Sequence, residues 1–440
     1  MSGIDSVCAR AREAALALAP LSGDVRNAAL LAMARAVEGS AAAILSANAG
    51  DVEAAREQVA RGELTLPLLK RLELDEAKVR QMAEGVRTVA ALPDPVGRVT
   101  LSTLLDEGLR LRRVTCPIGV VAAVFESRPD ALVQIASLCL KSGNAAILKG
   151  GREAARTNRA LAALLTEALA RQDGVPRAAL QLLEAREEVE ALLSRDDAID
   201  LIVPRGSNEF VRHIKSRSRI PVLGHADGIC HLYVDRAADL DMAVALAVDA
   251  KTQYVAVCNA IETLLVHREI AAGFLPRAAK ALREKGVELR GCERTRAVLR
   301  DAVPATEEDW ETEYLDLVLS VRVVEGLEEA IAHINRYGSR HTDAIVTGDA
   351  GAARVFMERV DAASVMWNAS TRFADGYRYG FGAEVGIATD KIHARGPVGL
   401  EGLVIYKYQI AGEGHCVAEY DGAGARPFLH RPMPLGPDAR

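Results

Sequence analysis

The feature that most constrains this fold is an alternation of short apolar runs and longer helical stretches, which begins near residue 119. Most of the runs are separated by enough chain to form a helix, and repeated βα units imply parallel sheets. Two sets of runs are visible, which predicts two α/β domains. The runs span residues 119–125, 145–148, 179–183 and 199–203 in the first set, and 229–234, 263–266, 317–323, 343–347 and 364–367 in the second.

The segment before the first set shows no evident chemistry. Residues 4–89 have apolar positions at helical spacing, which predicts a wrapping of amphipathic helices. Asp24 is expected to cap the second helix, and residues 48–51 are interpreted as a polar turn. The prolines within residues 92–97 end the helical region.

Two extended segments predict a small arm. Polar and apolar residues alternate within residues 98–115, which is the period of a half-exposed strand. Residues 404–408 form a second strand-like run near the end of the chain. We therefore divide the chain into residues 1–225 with the arm strand, residues 226–400, and a C-terminal arm and tail over residues 401–440.

Composition limits the classes of function. The chain has 440 residues, more than one ordinary core holds, and its net charge of −6 gives no general attraction to nucleic acid or anionic membranes. No uncharged apolar stretch reaches the ~18 residues of a membrane span, and the first residues do not resemble an export signal. A cytoplasmic protein that binds neither nucleic acid nor membrane is expected.

The cysteines and histidines show no metal-binding pattern. The 7 cysteines are scattered, odd in number and without a C-x-x-C pair, which argues against a disulfide framework and a zinc site. The 9 histidines show no paired ligand spacing, so His225, His231 and His393 are interpreted as loop or packing residues. No metal is predicted.

Cys258 lies in the run KTQYVAVCNAIE, residues 251–262, just before an apolar strand. A lone cysteine is often only a small buried hydrophobe, because free Cys is among the most buried residue types. Here its neighbours are polar, which favours a nucleophile. A thiolate attacks acyl carbon and the resulting thioester accepts hydride from a nicotinamide, so the predicted chemistry is reduction of an activated acyl group or oxidation of an aldehyde.

Six blocks in a fixed order connect the chain to a known family. They are PIGVVAAVFESRP (117–129), LCLKSGNAAILKGG (138–151), DLIVPRG (200–206), GHADGICH (224–231), the cysteine run (251–262) and NASTRFADG (368–376). Through these blocks the chain resembles the gamma-glutamyl phosphate reductases, which belong to the aldehyde dehydrogenase superfamily. The resemblance implies an aldehyde dehydrogenase-like fold with two parallel-sheet α/β domains and a small oligomerisation arm. One position departs from the family pattern, since Val255 stands where a proline is expected.

The resemblance also implies a cofactor site without the usual dinucleotide fingerprint. The glycines within residues 380–386 miss the G-x-G-x-x-G spacing by one residue. Members of the superfamily instead bind NAD(P) at a strand that ends in lysine, here Lys149, and at the following loop, here Gly150 and Gly151. Relatives specific for NAD carry a glutamate soon after that lysine, whereas Arg152 follows the glycines here, so NADPH is favoured.

Further positions complete the expected cofactor site. Gly206 and Ser207 open a helix predicted over residues 208–215, and the free amides of a helix N-terminus suit phosphate groups. Glu313 matches the glutamate of the superfamily that contacts the nicotinamide ribose. Residues 1–225 are thus expected to form the NADP-binding domain, and residues 226–400 the catalytic domain.

The resemblance implies that Cys258 attacks L-glutamyl 5-phosphate and that hydride from NADPH yields L-glutamate 5-semialdehyde, a step of proline biosynthesis. The developing oxyanion is expected to be held by the Cys258 backbone amide with Asn259 or Ser127. Gly224 stands at or near the position of the general base in aldehyde-oxidising relatives, which disfavours hydrolysis of the thioester.

Substrate recognition requires a cation for the α-carboxylate and acceptors for the α-ammonium group. Arg372 is the leading candidate for the carboxylate, and Arg128 is an equally basic rival. Either arginine can instead pair with a carboxylate of the protein. The ammonium group is expected to meet Asp227, Asp375 or Glu126.

Two other functions stay open on the sequence. The first is NAD(P)-dependent oxidation of a free aldehyde to its acid by an enzyme of the same fold. The second is a non-catalytic scaffold. A homo-oligomer is expected, and glutamate 5-kinase is a candidate partner because it would hand over a labile acyl phosphate.

Overall fold

The computed structural model describes residues 3–126, 128–185, 187–225 and 227–435. The chain divides into two compact units, each of which is discontinuous in sequence. Unit 1 comprises Met1–Leu223, Phe381–Gly386 and Val398–Arg440, and unit 2 comprises Gly224–Gly380 and Ile387–Pro397. The assignment of separate functions to residues 1–225, 226–400 and 401–440 stays a prediction.

Helices and strands alternate through most of the described chain. The α-helices are α1 (Gly3–Leu18), α2 (Gly23–Gly39), α3 (Ala41–Ala60), α4 (Leu66–Leu72), α5 (Glu76–Ala91), α6 (Pro129–Lys141), α7 (Ala155–Ala170), α8 (Glu187–Leu192), α9 (Asn208–Arg217), α10 (Leu240–Thr252), α11 (Arg268–Glu284), α12 (Glu293–Val298), α13 (Leu327–Tyr337) and α14 (Ala350–Arg359). The strands are β1 (Val99–Asp106), β2 (Leu109–Pro117), β3 (Val120–Phe125), β4 (Ala145–Lys149), β5 (Leu180–Leu183), β6 (Leu201–Arg205), β7 (Cys230–Val234), β8 (Ile261–His267), β9 (Glu288–Gly291), β10 (Val303–Pro304), β11 (Val318–Val324), β12 (Thr342–Val346), β13 (Ser364–Trp367), β14 (Gly386–Ala388), β15 (Gly396–Val398), β16 (Val404–Ala411) and β17 (Arg431–Pro432).

The predicted N-terminal helices are confirmed by α1 to α5, and two details within them are wrong. The cap of α2 is Ser22, whose hydroxyl accepts a hydrogen bond from the Val25 amide, while Asp24 lies in the first turn. Residues 48–51 are not a turn but part of α3.

The side chains of Asn48 and Asp51 are buried and find hydrogen-bond partners far along the chain. Asn48 donates to the carbonyl of Leu72 at 2.9 Å. Asp51 accepts from the amide and the hydroxyl of Thr157 at 2.8 and 2.7 Å, and so supplies acceptors to the first turn of α7. Polar residues interpreted as a surface turn therefore serve a buried contact between helices.

Unit 1 contains a parallel sheet in the order β5-β4-β3-β6. The predicted runs of the first set are confirmed as these strands, and every residue of β3 and β4 is buried. The register pairs Val124 with both Lys149 and Pro204, so the carboxyl ends of β3, β4 and β6 lie at one edge of the sheet. Lys149, Glu126 and the Gly206 turn are thereby positioned at that edge.

A separate four-stranded antiparallel sheet, the arm sheet, has the order β16-β2-β1-β17. The single strand predicted over residues 98–115 is two strands, because Glu107 and Gly108 form a tight turn with Gly108 at φ 74°. The strand predicted at residues 404–408 extends to Ala411 and pairs with β2 along its length.

Unit 2 is built on a parallel sheet in the order β10-β9-β11-β8-β7-β12-β13. The five predicted runs of the second set are confirmed. Strand β9 was not predicted, because its sequence Glu-Leu-Arg-Gly has only one apolar side chain. The core between the sheet and helices α10 and α11 is formed by small and branched apolar residues together with Phe274.

Among the described helices, none alone is both long and apolar enough to cross a membrane, and only the bent pair of α2 and α3, at 66° to each other, meets the length and composition together.

Candidate active site

Cys258 lies in unit 2, in the loop that joins the end of α10 to the start of β8. The two sides of this loop are connected by a salt bridge between Lys251 of α10 and Glu262 of β8, with Nζ and Oε2 2.5 Å apart and both side chains fully buried. Glu262 also accepts from the amide of Leu315 at 3.3 Å. The buried pair fixes the spacing of the two ends of the loop.

Burial dominates the titration of this pair. It raises the pKa of Glu262 to about 7, against the opposing effect of Lys251. It also lowers the pKa of Lys251, against the opposing effect of Glu262. Both shifts have the same cause, since removal from water disfavours each charged form.

The backbone of Cys258 is held tightly against the segment that leads into β7. A Cβ atom at Gly228 would lie 2.1 Å from the carbonyl oxygen of Cys258 and 2.5 Å from its Cα, so only glycine fits there. The buried thiol of Cys230 donates to the same carbonyl at 3.2 Å. Cys258 as a residue is partly exposed, although its backbone position is constrained by these contacts.

Replacing Gly228 with alanine is expected to lower kcat/KM by roughly 100-fold, because the added methyl group forces the Cys258 backbone to move and a 1 Å misplacement in a site has about that cost. Steady-state kinetics of the purified variant measure this. Gly273→Ala is the matched control, since its Cβ would meet nothing closer than 3.9 Å in the exposed face of α11. If Gly228→Ala is as active as Gly273→Ala, the close approach has no catalytic consequence.

Asn259, the second predicted catalytic residue, is buried next to the cysteine. Its Nδ2 donates to the carbonyl of Ala374 at 2.9 Å, and its own carbonyl accepts from the hydroxyl of Thr371 at 2.7 Å. Asn259 thus connects the cysteine loop to the 3₁₀ turn Thr371–Phe373. The bond to Ala374 uses one of the two amide hydrogens of the Asn259 side chain, so a hydrogen bond to an oxyanion would have to come from the second.

Arg372 lies in that 3₁₀ turn and is buried. Its Nε donates to Oε1 of Gln253 at 3.0 Å, and within the described chain no carboxylate lies within ion-pair distance of its guanidinium. Burial lowers the pKa of Arg372, and the nearby Arg378 lowers it further, while Cys258 acts in the opposite direction. A buried guanidinium whose described hydrogen-bond partner is the neutral Gln253 side chain suits an incoming carboxylate.

The rival arginine differs in its surroundings. Arg128 precedes α6 in unit 1, its side chain is 49% exposed, and it pairs with Asp130 at 3.0 Å. Asp375, a candidate for the substrate ammonium group, accepts from the backbone amides of Tyr377 and Arg378. Ser127 lies outside the described residues.

Lys149 ends β4 in unit 1 as predicted, and its side chain is buried. Its Nζ donates to the carbonyl of Gly150 at 2.6 Å, and burial lowers its pKa although Glu153 acts to raise it. A Cβ at Gly150 would lie 2.1 Å from Nδ2 of Asn158, so a side chain there would require the buried Asn158 to move. A Cβ at Gly151 would lie 2.0 Å from Oε1 of Glu153.

The turn at Gly206 and Ser207 opens α9, which confirms the predicted helix. The hydroxyl of Ser207 caps it by accepting from the Phe210 amide at 3.4 Å. The Ser207 amide, predicted to face a phosphate, donates to Oε2 of Glu126 at 2.8 Å. An anion at this turn would have to displace that carboxylate. Glu313 is partly buried in the loop before β11 of unit 2.

Two histidines that the sequence did not connect with the cysteine lie beside it. His225 and His341 each offer a ring nitrogen within a cluster whose three ligand atoms, including the Cys258 sulfur, all lie within 4.8 Å of one another. The interpretation of His225 as a loop or packing residue is therefore incomplete. His231 is a buried packing residue that bonds Asp343, and His393 is exposed. No sequence signal could have paired His225 with His341, because they are far apart in the chain.

Comparisons with known proteins agree with the fold. The model of the aldehyde dehydrogenase family matches residues 2–290. A gamma-glutamyl phosphate reductase of Pelotomaculum thermopropionicum is 58% identical over 433 residues, which cover 98% of this chain and 98% of that protein. One of Synechococcus sp. is 60% identical over 421 residues, 96% of this chain and 92% of that protein. The crystal structure of gamma-glutamyl phosphate reductase from Thermotoga maritima has a TM-score of 0.91 at 41% identity, and the match covers 94% of this chain and 99% of that one.

Proposed function

Because the chain belongs to the aldehyde dehydrogenase family and, within it, to the gamma-glutamyl phosphate reductases, we propose that it reduces L-glutamyl 5-phosphate to L-glutamate 5-semialdehyde and phosphate in proline biosynthesis. It is an oxidoreductase that uses a nicotinamide cofactor. The observation that carries the proposal is the position of Cys258, which is partly exposed and whose backbone packs closely against Gly228. The buried cation of Arg372 lies in the same unit.

The cysteine performs the covalent step. Attack of the Cys258 thiolate on the acyl carbon expels inorganic phosphate and leaves a thioester on Sγ. The bound nicotinamide supplies a hydride to the acyl carbon. The resulting thiohemiacetal oxyanion, held by the Cys258 amide with Asn259 or Ser127, collapses to the aldehyde and restores the thiolate. Gly224, at or near the position of the general base in aldehyde-oxidising relatives, supports phosphate, rather than water, as the partner of the thioester.

Arg372 is proposed to bind the α-carboxylate of the substrate. Arg372→Ala is expected to raise the KM for glutamate 5-semialdehyde by roughly 10- to 100-fold, since a hydrogen bond to a charged group contributes about 1.5–3 kcal/mol. Arg128→Ala, which removes an exposed and already paired guanidinium, is expected to change KM by less than about threefold. Initial-rate kinetics on both variants decide between them, and a larger effect at Arg128 would reverse the assignment.

The cofactor is proposed to be NADPH, held by Lys149, Gly150 and Gly151 with Gly206, Ser207 and Glu313. These residues fit such a ligand. Among the described residues, the buried ammonium group of Lys149 donates one hydrogen bond, to the backbone carbonyl of Gly150, and its other hydrogens can bind the cofactor. Arg152, exposed beside the glycines, supplies positive charge for a 2′-phosphate. Comparing kcat/KM for NADP⁺ and NAD⁺ tests this preference.

Partners and location are proposed from the same features. A homo-oligomer is favoured because β16, an edge strand of the arm sheet, exposes four large side chains, Ile405, Tyr406, Tyr408 and Ile410.

Glutamate 5-kinase is a candidate partner, since direct transfer of the labile acyl phosphate from the kinase would protect it from hydrolysis. We place the enzyme in the cytoplasm, where its scattered free cysteines stay reduced.

The test of the function is NADP⁺ reduction with glutamate 5-semialdehyde in the presence and absence of phosphate. Turnover that requires phosphate supports the proposal, because phosphate must release the acyl group from Cys258. Turnover that does not depend on phosphate would instead identify an aldehyde-oxidising enzyme. Absence of turnover in both conditions would favour the scaffold.

A further inference from the structure

The side chains around the nucleophile match a metal-binding set. The sulfur of Cys258 and one ring nitrogen each of His225 and His341 lie within 4.8 Å of one another. Thiolate and imidazole are the ligands that zinc prefers, and a tetrahedral zinc ion with Zn–S ≈ 2.3 Å and Zn–N ≈ 2.0–2.1 Å holds its ligand atoms ~3.5 Å apart. A small inward movement of side chains would therefore complete three corners of a tetrahedron.

The two imidazoles are already oriented by a second layer of contacts. Nδ1 of His225 lies 3.0 Å from the carbonyl of Ile387, and because a carbonyl only accepts, Nδ1 carries a hydrogen and Nε2 is the ring nitrogen that can face a metal. Nδ1 of His341 lies 2.8 Å from the hydroxyl of Thr342. Histidines that bind metals typically use the other ring nitrogen in such a bond, which fixes the tautomer and the ring plane.

His341 supplies an independent observation. The residue is 1% exposed, and its Nε2 has no hydrogen-bond partner among the residues that the structure describes. A buried polar atom without a partner is rare in folded proteins and calls for a ligand.

We propose that Cys258, His225 and His341 form a site for a divalent zinc ion that reversibly inhibits the enzyme. Binding replaces the thiol proton of Cys258 by the metal, so one proton is released from each thiol that is protonated beforehand. The sulfur lone pairs then bind zinc and cannot attack acyl carbon, and a water molecule takes the fourth position. The three ligands come from separate segments of the chain and therefore form no zinc-binding motif in the sequence.

Zinc binding is tested on the full-length, reduced and chelator-treated protein by competition with a chromophoric zinc chelator. One equivalent per chain is expected. His341→Gln, His225→Gln and Cys258→Ser are each expected to weaken binding at least as much as the roughly 10- to 100-fold typical for outer contacts of a metal site. The matched controls are Cys416→Ser and His393→Gln, an exposed thiol and an exposed imidazole. Both should bind zinc as the unmodified protein does.

Cobalt(II) gives a second, spectroscopic readout that does not depend on the histidine variants. A thiolate-to-cobalt charge-transfer band in the unmodified protein, absent in Cys258→Ser and present in Cys416→Ser, supports the site. If His341→Gln does not fold, His225→Gln and the cobalt spectrum decide. Unchanged zinc affinity in the folded ligand variants, or no cobalt–thiolate band, would overturn the proposal.

Inhibition is measured separately from binding. About one equivalent of zinc is expected to stop phosphate-dependent turnover, and a chelator is expected to restore it. If zinc binds at Cys258 but turnover persists, the inhibitory role is refuted. The binding readouts stay valid even if the proposed reaction is wrong, so the two proposals fail in distinguishable ways.

Discussion

Replacing Cys258 with serine is expected to lower phosphate-dependent turnover by about 10⁴-fold or more, comparable to the loss when other covalent enzymes lose their nucleophile. A serine hydroxyl is not ionised at neutral pH and is a much weaker nucleophile than a thiolate. The loop should keep its shape, because the close approach of Gly228 and the Lys251–Glu262 pair do not involve Sγ. Initial rates of NADP⁺ reduction measure the loss.

Other cysteines provide the controls for this experiment. Cys416→Ser, in an exposed part of unit 1, should retain full activity. Cys139 is buried and its pKa is raised to about 12, so it cannot replace the nucleophile at neutral pH. Trapping of an acyl group on the unmodified protein, and not on Cys258→Ser, would locate the thioester. Substantial turnover of Cys258→Ser would exclude the covalent mechanism.

The largest effect on stability is expected when the buried salt bridge between Lys251 and Glu262, at the two ends of the cysteine loop, is broken. Lys251→Met alone should reduce the free energy of unfolding of unit 2 by about 3–5 kcal/mol, because it leaves the Glu262 carboxylate buried without its partner. The double change Lys251→Met, Glu262→Leu should recover most of this loss, since an apolar pair of similar volume is often as stable as a buried ion pair. Both tryptophans, Trp310 and Trp367, lie in unit 2, so their fluorescence during urea denaturation reports on it.

The Lys251–Glu262 pair also makes the stability of the protein depend on pH, and the direction of this dependence follows from the pKa of Glu262. Burial raises the pKa of Glu262 from 4.5 to about 7, so folding takes up a proton between these values. The contribution of Glu262 is full below pH 4.5 and is lost as the pH rises through 7. Relative to the apolar double variant, the unmodified protein should therefore lose stability across this window. A difference that is constant with pH, or single variants as stable as the double, would contradict this account.

The strands of both sheets could be predicted because buried parallel strands give continuous apolar runs. Local polarity was misleading where a side chain served a distant partner. Asp51 looks like a turn residue, yet it bonds Thr157 of α7, more than a hundred residues later. Strand β9 was missed for the opposite reason, since it has too few apolar residues for its pattern to be visible.

In the candidate site, too, only the features carried by contiguous sequence could be predicted. Cys258 and Lys149 stand out because motifs around them are contiguous in sequence. The close approach of Gly228 to the Cys258 backbone, and the position of His341 beside it, depend on how β7, β8 and β12 are brought together in one sheet. Such contacts join distant segments, and composition and spacing do not record them.

The arm sheet also has a consequence for synthesis on the ribosome. The β1–β2 hairpin precedes unit 2 in the sequence, but β16 and β17, which pair with the two outer edges of that hairpin, follow the whole of unit 2 and are therefore synthesised after it. Unpaired strand edges invite association with other chains. A nascent chain therefore carries its whole cysteine loop while both edges of that hairpin are still unpaired, so the reactive thiol is synthesised before the arm sheet can be completed.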